Sequence, residues 1–185
     1  MTCWVVIPVK ALNECKTRLR PALGDAERRA LVRRMLSHVL QAAHGARGVD
    51  RVALLGPERH EAPDWADFLL DTGTSLNTAL TSALTLSASR IVIVPADLPK
   101  LRSADIEALI QVQQNAVAIA PDRAGTGTNA LSLPLPAARA FRFQFGQGSF
   151  QLHSAEAERL GLPLAVIRTE TLGLDVDTPA DLAEA

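Results

Sequence analysis

The chain has 185 residues, enough for one substantial hydrophobic core and short for two. Nineteen Lys plus Arg against twenty Asp plus Glu leave a formal charge of −1. The basic excess that drives general nucleic-acid binding is therefore missing, and any phosphate handled is expected on a small molecule. Cys3 and Cys15 lack zinc-site spacing, no run approaches the ~20 apolar residues of a membrane span, and no leader pattern opens the chain. The expectation is a cytoplasmic protein with reduced thiols and neither nucleic-acid nor membrane partners.

Along the chain, strand-like and helix-like patterns alternate as in a layered α/β sheet. Residues 3–9 form a continuous apolar run, a strand buried on both faces. A helix follows over 25–43, with Leu31, Val32, Met35, Leu36, Val39, Leu40 and Ala43 on one stripe and Asp25 expected at its N-cap. Short strands are predicted at 52–55 and 68–70 on either side of a polar, proline-bearing loop, then a helix over 76–87. Residues 91–94 are β-branched throughout and give the clearest strand. Ser103 is expected to cap a helix carrying Ile106, Leu109 and Ile110, and a strand follows at 116–120. Beyond a glycine loop at 125–128 come a strand at 130–133, a helix capped by Ser149 and running to about 160, and a strand at 164–167. Thr178, Pro179 and Asp181 open a last short helix in the order N-cap, N1, N3. One domain, 1–185, is the reading. The apolar, proline-broken stretch 133–145 is its candidate homodimer interface.

Ligands of an open α/β sheet gather beyond the carboxyl ends of its strands, and four loops there have unusual composition. After the first strand come Lys10, Lys16, Arg18 and Arg20, four cations within eleven residues, suited to a triphosphate. No P-loop pattern is present, and a plain solvated basic loop would read the same way. After the clearest strand, Asp97 stands between Pro95 and Pro99, placed to hold a divalent cation or simply to make a turn. Asp175 and Asp177 alternate along an extended segment, so either both carboxylates face one cation or Asp177 merely precedes the capped helix that follows. Last come two glycine loops, 125–129 and 145–149, whose backbone admits close approach by an anion, with Ser149 heading a helix. Either loop alone reads equally well as a tight turn; together they suggest a second anion pocket.

In order, these stretches resemble the 2-phospho-L-lactate guanylyltransferase family of deazaflavin coenzyme F-420 biosynthesis, which includes relatives acting on phosphoenolpyruvate or 3-phosphoglycerate. The matching residues are Ile7-Pro8-Val9-Lys10, Lys16-Thr17-Arg18-Leu19, Leu76-Asn77-Thr78-Ala79-Leu80, Pro95-Ala96-Asp97-Leu98-Pro99, Gly125-Thr126-Gly127-Thr128-Asn129-Ala130-Leu131, Phe145-Gly146-Gln147-Gly148-Ser149-Phe150 with His153, and Asp175-Val176-Asp177-Thr178-Pro179. The resemblance implies a Rossmann-like, glycosyltransferase-A-like nucleotidyltransferase fold: three layers around a mostly parallel sheet. It implies GTP as donor and Mg²⁺ held by Asp97 with Asp175 or Asp177. It further implies that Lys10, Lys16 and Arg18 contact the triphosphate, Asn77 the nucleoside, and Thr128, Gly146 and Ser149 the acceptor phosphoacid, with Asp97, Lys16 and Arg18 carrying catalysis. Ser75 stands where the family tends to have glycine, and is expected to narrow the nucleotide pocket. The rival readings are a cytidylyl- or guanylyltransferase of another phosphorylated cofactor or sugar precursor, and a nucleotide-binding module without activity. His38, His44 and His60 read as surface or helix-face residues, and Trp4 and Trp65 as packing residues.

Overall fold

A computed structural model describes residues 2–11, 15–71 and 75–184. Seven strands form one sheet in the order β3-β2-β1-β4-β6-β5-β7. They are β1 (Cys3–Pro8), β2 (Arg51–Gly56), β3 (Asp67–Leu70), β4 (Arg90–Ile93), β5 (Val117–Pro121), β6 (Thr128–Pro134) and β7 (Leu164–Val166). All neighbouring pairs are parallel except those of β6, which runs antiparallel to both β4 and β5. The helices are α1 (Asp25–His44), α2 (Leu76–Ala83), α3 (Ser103–Ile110), α4 (Ser149–Arg159), α5 (Glu170–Gly173) and α6 (Pro179–Leu182). None among the described residues is long and apolar enough to cross a membrane.

The two-residue period of β1 explains the three layers. Cys3, Val5 and Ile7 enter one core with Leu36, Val39 and Leu40 of α1 and Ile106 and Leu109 of α3. Trp4 and Val6 enter the opposite core with Ala79, Leu80 and Ala83 of α2 and Ala157 of α4. A strand covered on both faces must be apolar at every position, which is why β1 and β4 stand out in the sequence.

Three expected caps sit one residue away from where the sequence places them. The N-cap of α1 is Gly24, whose N–H donates to Glu27 Oε2 at 2.7 Å, while Asp25 is already in the first turn and pairs with Arg28. The N-cap of α3 is Arg102, whose N–H donates to Asp105 Oδ2 at 2.9 Å. Ser103 instead donates its hydroxyl to the Ala42 carbonyl at 2.8 Å, tying α3 to α1. The N-cap of α4 is Gly148 at φ 71°, a left-handed conformation that glycine adopts without a Cβ penalty. Thr178 caps α6 as expected, accepting from the Asp181 N–H.

Leu133, Leu135, Phe141 and Phe143 of the 133–145 stretch are buried in the chain's own core, and Phe145 is half-buried against it. Trp65 packs at the surface rather than in the core: it is 38 % exposed and stacks on the His44 ring at 4.1 Å. At the end of the sheet where β4 begins, Arg90 is fully buried. Its guanidinium donates to the carbonyls of Gln113, Gln114 and Ala116 at 2.9–3.2 Å and to Ser132 Oγ at 2.9 Å.

Candidate active site

The carboxyl ends of β1, β2 and β4 open on a cavity of about 430 Å³ whose lining includes Lys10, Lys16, Arg18, Leu76, Asp97 and Asp177. An apolar peg explains how residues so distant in sequence meet. Leu19, in the 3-10 turn Thr17–Leu19, is buried with Leu31, Val32 and Met35 of α1 and with Val176. Burying Leu19 and Val176 in one cluster brings the cations before Leu19 beside the carboxylates flanking Val176. The Val176 N–H then donates to the Asp97 carbonyl at 3.2 Å, setting the acidic segment against the β4 exit.

At the centre stands Lys16, left-handed at φ 53° with only 9 % of its side chain exposed. Its ammonium donates to Asp97 Oδ2 at 2.6 Å and to Asp177 Oδ1 at 2.9 Å. Burial alone would lower its pKa; the two carboxylates outweigh burial and hold it above the ordinary lysine value. Arg18, mostly exposed, lies 3.6 Å from Asp177 Oδ2. Asp175 Oδ1 accepts from Asn129 Nδ2 at 3.1 Å. Its pKa is raised by burial, an effect the Asn129 bond offsets and the charges of Asp97 and Asp177 reinforce.

Among the described residues no three His, Cys, Asp or Glu side chains already stand as a metal-ligand set. The donors nevertheless suit Mg²⁺. Asp97 and Asp177 converge on one positive centre, and Asp175 beside them accepts from the Asn129 amide. Hard oxygen donors and nearby room for phosphates are the combination this ion takes up.

The two glycine loops also meet in the structure. The Phe150 N–H donates to the Thr126 carbonyl at 3.1 Å, joining the two glycine loops at the start of α4. Thr128 and Ser149 are buried there, and Gly146 (φ 132°) and Gly148 open onto space that no neighbouring atom fills. The loops adjoin the carboxylates through Asn129, whose amide donates to Asp175 and also to the Leu172 carbonyl at 2.9 Å.

Three predicted residues behave otherwise. Asn77 does not line the cavity; its Oδ1 accepts from the Phe145 N–H at 2.8 Å and its Nδ2 donates to the Phe145 carbonyl at 3.2 Å. Ser75 does not narrow the cavity either, since its hydroxyl caps α2 by accepting from the Thr78 N–H. His60 is no surface residue: its side chain is 1 % exposed. His153, one turn after Ser149 on the inner face of α4, is fully buried as a structural histidine.

Against known proteins, a family model described as "Guanylyl transferase CofC like" matches residues 3–185. The chain belongs to this family. It is therefore a nucleotidyltransferase. It is 42 % identical to a phosphoenolpyruvate guanylyltransferase of Sphaerobacter thermophilus, over all of this chain and 92 % of that protein. It is 37 % identical to a 2-phospho-L-lactate guanylyltransferase of Methanothermobacter thermautotrophicus, over 99 % of this chain and 83 % of the other. Among solved structures it is similar to a CMP:2-keto-3-deoxy-manno-octonic acid synthetase bound to CTP. That likeness has a TM-score of 0.64 at 15 % identity over 100 % of this chain and 96 % of the other, and it shows the nucleotidyltransferase fold.

Proposed function

We propose that the protein transfers GMP from GTP to a small phosphorylated three-carbon acid, releasing pyrophosphate, as a cytoplasmic step of coenzyme F-420 biosynthesis. The observation that carries this reading is the ion cluster at the cavity wall. Lys16 sits between Asp97 and Asp177 with Arg18 beside it, and the two glycine loops adjoin through Asn129. Family membership supplies the class of reaction.

In this reading the α-phosphorus of GTP is held between the two pockets. An oxygen of the acceptor phosphate forms the new P–O bond in line as the bond to the departing pyrophosphate breaks. That phosphate is already ionised at neutral pH, so no strong general base is required. Lys10, Lys16 and Arg18 orient the triphosphate and offset charge on the leaving group, while the backbone of 146–149, Thr128 and Ser149 hold the acceptor. Mg²⁺, held by Asp97 with Asp175 or Asp177, would supply further charge neutralisation at the phosphates. Phosphoenolpyruvate is placed first among acceptors because the 42 % identical relative is named for it.

The test is pyrophosphate release from each of GTP, ATP, CTP and UTP with Mg²⁺ and, in turn, phosphoenolpyruvate, 2-phospho-L-lactate and 3-phospho-D-glycerate. Release with GTP and one of these acids is expected. Release with CTP in preference to GTP, or with none of the acids, sinks the assignment.

A further inference from the structure

The segment leading into the 146–149 turn is held from two sides by side chains of two helices. From α2, the Asn77 amide closes a two-point clamp on the backbone of Phe145, bonding both its N–H (2.8 Å) and its carbonyl (3.2 Å). From α4, His153 Nε2 accepts from the Gln144 N–H at 2.9 Å. Two adjacent backbone N–H groups are thus fixed by two different helices, immediately before a turn whose glycines face open space.

The His153 bond has a further consequence. A ring nitrogen that accepts from a backbone N–H carries a lone pair, so the proton of the neutral imidazole is on Nδ1. Nδ1 therefore donates to Thr128 Oγ1, 3.0 Å away. Because that oxygen accepts from the histidine, its own hydrogen is left to donate, and among the described residues no acceptor is paired with it. Burial keeps the ring neutral, with a pKa lowered to about 4. The rings of Phe141 and Phe145 pack against it at 5.8 and 4.8 Å.

We propose that Asn77 and His153 are positioning residues of the acceptor side. Together they hold Gln144 and Phe145 so that the 146–149 turn and the Thr128 hydroxyl present donors to the anionic acceptor. The assignment rests on the acceptor reading given above, and it moves Asn77 from the nucleoside to the acceptor. It also connects the two halves of the site. Leu76 and Ala79 of α2 line the nucleotide cavity, while Asn77 of the same helix grips the acceptor loop.

Two readouts keep this proposal distinct from the functional reading. In substrate-free protein, hydrogen–deuterium exchange of the amides over 144–149 should quicken about tenfold or more in Asn77→Ala, the loss of one to two buried hydrogen bonds. Unchanged exchange there overturns the clamp, whether or not wild-type protein turns over any acid. With phosphoenolpyruvate and saturating GTP, Asn77→Ala should raise the KM for the acid about tenfold, while the Kd for GTP, measured calorimetrically without acid, stays within about twofold. A tenfold weaker GTP complex with unchanged acceptor KM would return Asn77 to the nucleoside and overturn the proposal.

Partial replacements separate the two arms of His153 should Asn77→Ala fold poorly. His153→Gln can still accept from the Gln144 N–H, and His153→Asn can still donate to Thr128. Slow exchange over 144–149 should survive only in the first. A raised acceptor KM is expected in both, since each loses one arm. Equal exchange in the two variants, or an unchanged KM in both, overturns the role of His153. Failure of wild-type protein to use any of the three acids would count against the functional reading and leave the exchange result to decide the clamp.

Discussion

Replacing Lys16 by Met removes the cation that stands between Asp97 and Asp177. The Asp97 arm is short (2.6 Å), and its partners are 9 % and 27 % exposed, so it should be worth about 2 kcal/mol as a charge-assisted hydrogen bond. The Asp177 arm ends on a side chain 46 % exposed, where water screens the charge and lowers its worth to about 0.5–1 kcal/mol. The variant also leaves Asp97, Asp175 and Asp177 repelling one another, so the expected loss at neutral pH is about 2–3 kcal/mol. For a chain of this size that corresponds to a fall in Tm of roughly 4–12 °C, read by calorimetry. Adding Asp97→Asn to Lys16→Met should restore part of the loss, because the carboxylate left without its counter-ion is gone. The reasoning is refuted if Lys16→Met melts with the wild type, or if the double variant is less stable than the single one by the full cost of Asp97→Asn alone.

Asp97→Asn by itself should lower pyrophosphate release at least about hundredfold with circular dichroism unchanged; unchanged turnover would remove Asp97 from the chemistry. Gly56→Ala should cost about 2 kcal/mol in urea unfolding, since the new Cβ would lie 2.8 Å from the Val9 carbonyl oxygen, a backbone atom at the cavity floor with little freedom to retreat. Between pH 6.5 and about 4, the wild type should lose about 3 kcal/mol more stability than His153→Gln. The sign follows because the unfolded histidine takes up its proton first. Stability is whole above pH 6.5 and falls as the pH approaches the depressed folded value, so parallel pH profiles would contradict the neutral ring. Arg90→Met should destabilise by about 3 kcal/mol or more, with four acceptors losing their donor, and should leave the KM for GTP unchanged.

What could be read from the chain beforehand followed the reach of each interaction. β1 and β4 were evident because a doubly covered strand must be apolar throughout, and the stripe of α1 was evident because its burial repeats every 3.6 residues. The basic turn, Asp97 and the 175–177 pair were flagged by local composition, and the structure brings Lys16, Arg18, Asp97 and Asp177 together. The antiparallel sense of β6 left no local mark, because strand direction is settled by which neighbours accept its hydrogen bonds. Caps slipped by one residue where a Gly or Arg backbone N–H, satisfied from the third helical position, did the work expected of a serine or aspartate. The four-residue helix α5 is too short to show a period. Asn77 and His153 were visible as motif residues but not as clamps, since their partners lie 68 and 9 residues away.

Arg90 gives the molecule a mechanical asymmetry. It gathers the approach to β5, the start of β4 and a serine of β6 into one knot at the end of the sheet remote from the carboxylates. The reactive end can then carry crowded like charges and left-handed residues without each having to hold the fold together. Attempts to make a hardier variant belong at the knotted end, where new contacts leave the chemistry alone. New contacts at the opposite rim would fall among Lys16, Arg18, Asp97 and Asp177, the residues of the proposed chemistry.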